Sequence, residues 1–374
     1  MTGRAFVFAG GGTGGHLYPG LAIAQAIRER APGAATLFLC SDRPLDARLL
    51  ADEGAAHRVI PAQPFGVAPR RLLRFARSWG GSVRAARDAL RQMRADGASD
   101  ITLLAMGGFV AAPAAQAARA EKTRLVLVNL DAVPGKANRL IARRADRVFS
   151  ATGESDAAGN ACPAAWERIP PIVRTDAVPR GDARACRERL GLDADTQTLV
   201  VTGASQGARS INGAVTRLLE THRGLFEGWQ VFHQTGEGAD AETRAAYERA
   251  GVRAVVVPFH RAMGDAWGAA DLVIARSGAG TVGEAWGAGA PCIFLPYPYH
   301  RDQHQRANAG PLVACGGAVL CEDRIDPDAN AAALAPVLER LLRDGAALER
   351  MREALGALGP ADGAERVAGA LLGA

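Results

Sequence analysis

The sequence predicts an α/β chain of two tandem Rossmann-like domains, and three observations predict it. Apolar runs alternate with amphipathic stretches almost from end to end, the pattern of parallel strands joined by crossover helices. Each half opens in the same way, with a strand, a glycine-rich turn and a helix: AFVFAGGGTGGH at Ala5–His16 and TLVVTGASQGARSINGAV at Thr198–Val215. Between the halves, RIPPIVRTDAV at Arg168–Val178 carries paired prolines that interrupt any regular element. A first domain is therefore expected over 1–173 and a second over 174–360, with a last helix over 361–374 packing back on the first. Two such domains would present the carboxyl ends of their sheets to a shared cleft.

In chain order, the strands of the first half are expected at Ala5–Gly10, Ala35–Cys40, His57–Pro61, Ile101–Gly107, Arg124–Asn129 and Asp146–Ala151. Those of the second half are expected at Thr198–Gly203, Gln230–Gly236, Arg253–Phe259, Asp271–Gly278, Ala290–Tyr297 and Gly317–Cys321. Gly and Ala are abundant and aromatics scarce, so the core is expected to be built mostly from Val, Leu, Ile and Ala. Helical pieces such as Leu21–Arg30 and Ala266–Ala270 fall between them.

The composition is that of a folded globular protein, 48% hydrophobic and 22% charged over 374 residues. No run approaches the roughly 18 apolar residues of a spanning helix. Met1–Arg4 leads straight into a strand, leaving no room for a signal peptide, so a cytosolic protein is expected. The six cysteines, Cys162 among them, are scattered with no CxxC pair; buried thiols are expected and a structural zinc site is not. The net charge of +5 is modest but unevenly placed. Eight arginines lie between Phe65 and Arg94 against a single Asp88, interleaved with Leu72, Leu73, Phe75 and Trp79. Such a mixture suits either an anionic lipid surface or a solvated helix with its own core stripe. Nothing resembles a nucleic-acid-binding module.

The first glycine loop literally fits G-x-G-x-x-G at Gly10, Gly12 and Gly15, with Asp42 where a ribose-binding acid would stand. A nicotinamide or flavin enzyme is the obvious first idea. Thr13, Gly14 and Gly15 make the loop barer than that fingerprint, however, and His16 puts a titratable imidazole at its mouth, a base or hydroxyl-binding group. In the second half, Ser205 in GASQGAR can donate to a phosphate. Ser277, Gly278, Ala279, Gly280 and Thr281 read as a helix N-terminus that suits a pyrophosphate. Glu284 follows one turn on, where a carboxylate accepts ribose hydroxyls, and Asp302–Gln305 offers a cluster for reading sugar hydroxyls. In that order the pieces describe a nucleotide-sugar site.

With GGTGGHLYPGLAIA, MGGFVAAP at Met106–Pro113, VPGKANRL at Val133–Leu140, GASQGARSIN, HQTG, RSGAGTVGE and PYPY with DQHQRANA, the chain resembles the MurG family over nearly its whole length. The resemblance implies the two-domain glycosyltransferase-B fold. It implies a peripheral enzyme on the cytoplasmic face of the inner membrane that moves N-acetylglucosamine from UDP-N-acetylglucosamine to the lipid-linked muramyl-pentapeptide precursor of peptidoglycan (lipid I to lipid II). It also implies that Phe259 caps the uracil beside the His260 backbone, and that Glu284 holds the ribose. Ser205, Arg174 and the Gly278–Thr281 amides would take the diphosphate, and Gln305 with His304 would read the sugar. Thr13 and His16 would face the acceptor, with Gly14 and Gly15 admitting its diphosphate. The segment around Leu72–Trp79 would be the membrane-facing surface. One departure stands out: where the family carries His-Glu-Gln-Asn before VPG, this chain has Val128-Asn129-Leu130-Asp131.

The reaction so implied is an inverting transfer through an oxocarbenium-like transition state. His16 is the expected base, with Asp131 in reserve. A helix N-terminus and Arg174 would meet the leaving-group charge, so neither metal nor cofactor is expected; the DxD-like pairs Asp193/Asp195 and Asp326/Asp328 read as solvated loops. Three alternatives stay open: a transferase of the same fold with another acceptor, a UDP-N-acetylglucosamine epimerase, and a binding module that has lost activity.

Overall fold

The computed structural model describes residues 3–12, 14–151, 166–204 and 207–373. These form two compact units, Met1–Ile172 with Asp362–Ala374, and Val173–Ala361.

The first unit is built on seven strands: β1 (Arg4–Ala9), β2 (Ala35–Cys40), β3 (His57–Val59), β4 (Asp100–Ala105), β5 (Arg124–Asn129), β6 (Arg147–Ser150) and β7 (Glu167–Arg168). They lie in the order β3-β2-β1-β4-β5-β6-β7, every neighbour parallel. The six expected runs each form a strand. β7 is an addition of two exposed residues that no apolar run announces. Alternate side chains serve opposite faces. Phe6, Phe8, Leu104, Val126 and Phe149 pack on one side with Leu17, Ile23 and Ile27. On the other side Val7, Leu103 and Leu127 pack with Val110, Ala114 and Leu90. Two buried faces explain why the strands read as continuous apolar runs; each fully buried large side chain contributes about 1.5–3 kcal/mol.

The first helix runs Gly14–Arg30, beginning at Gly14 rather than Leu21. Three early glycines and Pro19 mask it in the sequence, yet Pro19 lies in the second turn, where its missing N–H forfeits only the bond to the Gly15 carbonyl. The last helix, Gly363–Leu372, buries Ala364, Val367, Ala368 and Leu371 in the first unit's core. Arg147 Nη1 and Arg4 Nη1 donate to the Ala370 and Leu372 carbonyls at 2.9 and 3.0 Å.

The second unit has β8 (Gln197–Thr202), β9 (Trp229–Gln234), β10 (Ala254–Val257), β11 (Leu272–Ala275), β12 (Cys292–Phe294) and β13 (Ala318–Leu320). Their order is β10-β9-β8-β11-β12-β13, again all parallel. The expected helix at Ala266–Ala270 runs Met263–Ala269. In both sheets the strand order reverses beside the first strand, between β1 and β4 and between β8 and β11. Loops at the carboxyl ends of those strands are where an open α/β sheet takes its ligand. Among the described residues no helix is long and apolar enough to cross a membrane.

Candidate active site

The switch point of the first unit carries the glycine loop and His16. Gly12 has φ +89°, and a Cβ there would stand 2.5 Å from Phe109 Cε1, so a side chain is excluded twice over. Gly14 and Gly15 open the first helix, so their amides belong to its N-terminus. The His16 ring lies against Gly107 and Gly108, which follow β4. A Cβ on Gly107 would approach His16 Cδ2 to 2.9 Å; one on Gly108 would lie 2.7 Å from the Gly11 carbonyl and 3.1 Å from His16 Nδ1. The MGG motif is thus the floor on which the imidazole rests. Burial lowers the His16 pKa from 6.5, opposed by the Asp131 charge, a hydrogen bond with the Gly11 backbone, and Asp46. The imidazole and the Gly11 carbonyl both lie over Gly108, so the bond between ring and backbone ties His16 to its own glycine loop.

The Val128–Asp131 departure has an internal logic. Asn129 is fully buried at the end of β5. Its Nδ2 donates to the Asp131 carbonyl at 2.8 Å and to Ser150 Oγ at 3.3 Å, and its Oδ1 accepts from Asn138 Nδ2 at 3.0 Å. Asn129 therefore ties the turn bearing Asp131 to the helix Lys136–Ala142. Asp42 is exposed and accepts a 3.2 Å bond from Gln63 Nε2. The buried acid nearby is Asp46, in the first turn of the helix Pro44–Asp52, and its side chain faces the glycine loop.

At the second switch point the helix Ala279–Ala288 starts after Gly278, an N-cap with no side-chain hydrogen bond, so the first amides keep their donors for a ligand. Glu284, in its second turn, accepts from Trp267 Nε1 at 2.8 Å through Oε2 and from Arg174 Nε at 3.2 Å through Oε1. Burial raises its pKa above the ordinary glutamate value, while Arg174 and Trp267 act the other way. Arg174 also pairs with Asp176 at 3.2 Å. Phe259 is 48% exposed. The His260 N–H donates to Gln234 Oε1 at 2.8 Å. Gln305 Oε1 accepts the Tyr297 N–H at 2.8 Å, and His304 stacks on His300 at 4.3 Å while bonding Asp302 at 2.8 Å. Thr13 and Ser205, two further candidates, lie outside the described residues, as does Cys162.

Behind this loop lies a buried polar frame that sequence reasoning missed. Arg276 pairs with Asp323 at 2.5 Å, donates to Leu295 O at 2.7 Å and to Ser210 Oγ at 2.8 Å, and stacks over Tyr297. Asp323 also accepts from Ser210 Oγ and Asn330 Nδ2, each at 2.7 Å. Asn308 Nδ2 donates to Ser277 O at 3.3 Å. The loop before the helix is therefore held from several elements at once. The DxD-like pairs have local jobs: Asp193 accepts from Asp195 N and Thr196, and Asp326 caps the helix Pro327–Arg343.

On the helix Pro69–Ala95 seven of the eight arginines fall into two sets, with the exposed Arg84 between them. Arg87, Arg91 and Arg94 converge on Glu121 at 2.7, 2.9 and 3.5 Å. The hydrogen bonds and charges of Arg87 and Arg91 lower the Glu121 pKa. Arg70, Arg71, Arg74 and Arg77 make no ion pair among the described residues and are exposed. Beside them Leu72 and Leu73 are exposed, as are Phe65 and Val67, and Phe65, Phe75 and Trp79 form an aromatic row at 5.4 and 5.2 Å.

Comparison with known proteins gives two family matches: the glycosyltransferase family 28 N-terminal domain over residues 6–150, and the family 28 C-terminal domain over 198–367. A UDP-N-acetylglucosamine--N-acetylmuramyl-(pentapeptide) pyrophosphoryl-undecaprenol N-acetylglucosamine transferase of Halorhodospira halophila is 38% identical, covering 98% of each chain. The enzyme of the same name from Clavibacter sepedonicus is 38% identical over 97% of this chain and 94% of its own. Among solved structures, MurG of Acinetobacter baumannii superposes with a TM-score of 0.71 at 25% identity, covering 99% of both chains.

Proposed function

The chain belongs to the MurG branch of glycosyltransferase family 28, and from that premise we propose how its own residues carry that branch's reaction. It transfers N-acetylglucosamine from UDP-N-acetylglucosamine to the lipid-linked N-acetylmuramyl-pentapeptide, forming the disaccharide precursor of peptidoglycan. The observation that carries the donor half is Glu284: a carboxylate oriented by Trp267 and Arg174, one turn inside a helix whose first amides have no side-chain cap. Its two oxygens suit paired ribose hydroxyls, and the helix start suits the diphosphate.

In this reading the uracil stacks on the exposed ring of Phe259 and meets the carbonyl rather than the N–H of His260, which Gln234 already holds. Binding of the diphosphate draws Arg174 toward the leaving group. Ser205 sits on the loop after β8 in sequence and joins the same anion site. Gln305 and His304 face the sugar. The acceptor hydroxyl attacks the anomeric carbon, the bond to the UDP oxygen breaks, and the His16 imidazole takes the hydroxyl proton, with Asp131 stabilising the imidazolium. Gly14, Gly15 and Thr13 admit the acceptor diphosphate at the start of the first helix.

The arginines without an ion pair and the exposed apolar side chains at the head of Pro69–Ala95 support a peripheral attachment to anionic lipid on the cytoplasmic face of the inner membrane. Glu284→Gln tests the donor assignment. It should raise the donor KM about 10- to 100-fold, the worth of a charge-assisted bond, and leave the acceptor KM unmoved. An unchanged donor KM would remove Glu284 from the ribose.

A further inference from the structure

Glycine loops have little of their own to hold them, yet Gly11–Gly12 is gripped from two sides by one short segment. The Gly12 N–H donates to Asp46 Oδ2 at 2.7 Å, and the same oxygen accepts from Ser41 N at 3.2 Å and Ser41 Oγ at 2.6 Å. Asp46 is fully buried, and its Oδ1 has no hydrogen bond among the described residues. From the other side, Arg43 Nη1 donates to the Gly12 carbonyl at 2.6 Å, its guanidinium lying 5.2 Å over the Phe109 ring. The fit is close: a Cβ on Gly11 would stand 2.5 Å from Asp46 Oδ2.

A buried carboxylate with one oxygen unsatisfied is costly to keep. What the carboxylate holds is the loop whose Gly11 backbone bonds the His16 ring. We infer that Asp46 and Arg43 form a two-sided clamp on Gly12, which acts as the positioning device of the acceptor half-site and fixes the loop that orients His16. The inference rests on the reading of His16 and its loop as the acceptor side. It carries a further consequence. The Gly12 amide is already spent on Asp46, so an acceptor diphosphate must be met by amides later in the loop, at the start of the Gly14–Arg30 helix.

Kinetics on Asp46→Ala, Asp46→Asn and Arg43→Ala in the full chain test the clamp, with UDP affinity measured in parallel. Asp46→Ala and Arg43→Ala should each lower kcat/KM for the acceptor at least tenfold, while UDP affinity and the donor KM stay within twofold of wild type. Asp46→Asn, whose side-chain oxygen can still accept the Gly12 N–H, should recover part of the loss. Arg43 is exposed, so its variant remains informative if Asp46→Ala fails to fold. Equal losses in donor and acceptor constants would mark general damage and overturn the inference. His16→Ala separates the two claims. If it collapses acceptor turnover while Asp46→Ala and Arg43→Ala behave as wild type, the clamp falls and the functional reading stands. If His16→Ala leaves acceptor turnover untouched, the functional reading falls first.

Discussion

Burial strips water from the His16 imidazole and lowers its pKa below 6.5, while Asp131, the Gly11 backbone and Asp46 pull in the other direction. A base works in its neutral form, and a lowered pKa keeps it neutral at physiological pH. The acidic limb of kcat/KM should therefore lie below pH 6.5. It should vanish in His16→Ala, whose rate falls about 10²–10⁴-fold. A limb at or above 6.5, or one that survives His16→Ala, would assign the base elsewhere. At this scale the sequence speaks through residues whose type is conspicuous in its setting, as with an imidazole after five glycines or an acid one turn into a glycine-led helix. Asp46, Asn129 and Trp267 were not legible, because their roles depend on partners 17 to 34 positions away that only the fold brings near. Asp42 illustrates the limit. Spacing pointed to it, but it is Asp46, in the first turn of the helix Pro44–Asp52, whose side chain faces the loop.

Elements show the same division. All twelve apolar runs became strands, since a strand buried on both faces must be apolar throughout. The start of Gly14–Arg30 is hidden, because its first two turns hold Gly14, Gly15 and Pro19, residues that normally disfavour a helix. Pro69–Ala95 is one helix doing two things. Its later turns bury Ala86, Ala89 and Leu90 and spend three arginines on Glu121, and its first turns leave four arginines without an ion pair beside exposed leucines. Replacing Arg70, Arg71, Arg74 and Arg77 with Ser should abolish sedimentation with vesicles containing anionic lipid, without changing turnover of a soluble acceptor analogue. Unchanged sedimentation would sink the membrane assignment. The Arg276–Asp323 frame is a second element-scale device. Asp323→Ala leaves a buried guanidinium without its partner and should lower stability by about 3–5 kcal/mol in denaturant unfolding. A loss under about 1 kcal/mol, the range of an exposed pair, would show that the frame does not brace the loop before Ala279–Ala288.

For the whole molecule, the two sheets repeat one topology about their first strands, and the proposed reaction draws the proton acceptor from the switch point at β1 and β4 and the nucleotide-sugar residues from that at β8 and β11. The chain closes its first unit only with its last helix, whose Val367 and Leu371 enter the core beside Ile23 and Ile27. The repeated strand–glycine–helix opening made this architecture readable. Solved structures of quite different specificity share it, including a putative UDP-N-acetylglucosamine 2-epimerase from Listeria monocytogenes at 16% identity and a TM-score of 0.66. Fold alone therefore does not distinguish transferase from epimerase; the family 28 matches and the transferase relatives do. The direct test is UDP release from UDP-N-acetylglucosamine, measured with and without a soluble analogue of the lipid-linked muramyl-peptide. A transferase releases UDP only when the acceptor is present, and His16→Ala should suppress that release. Release at the same rate from the donor alone, or none with the acceptor despite tight UDP binding, would contradict the account.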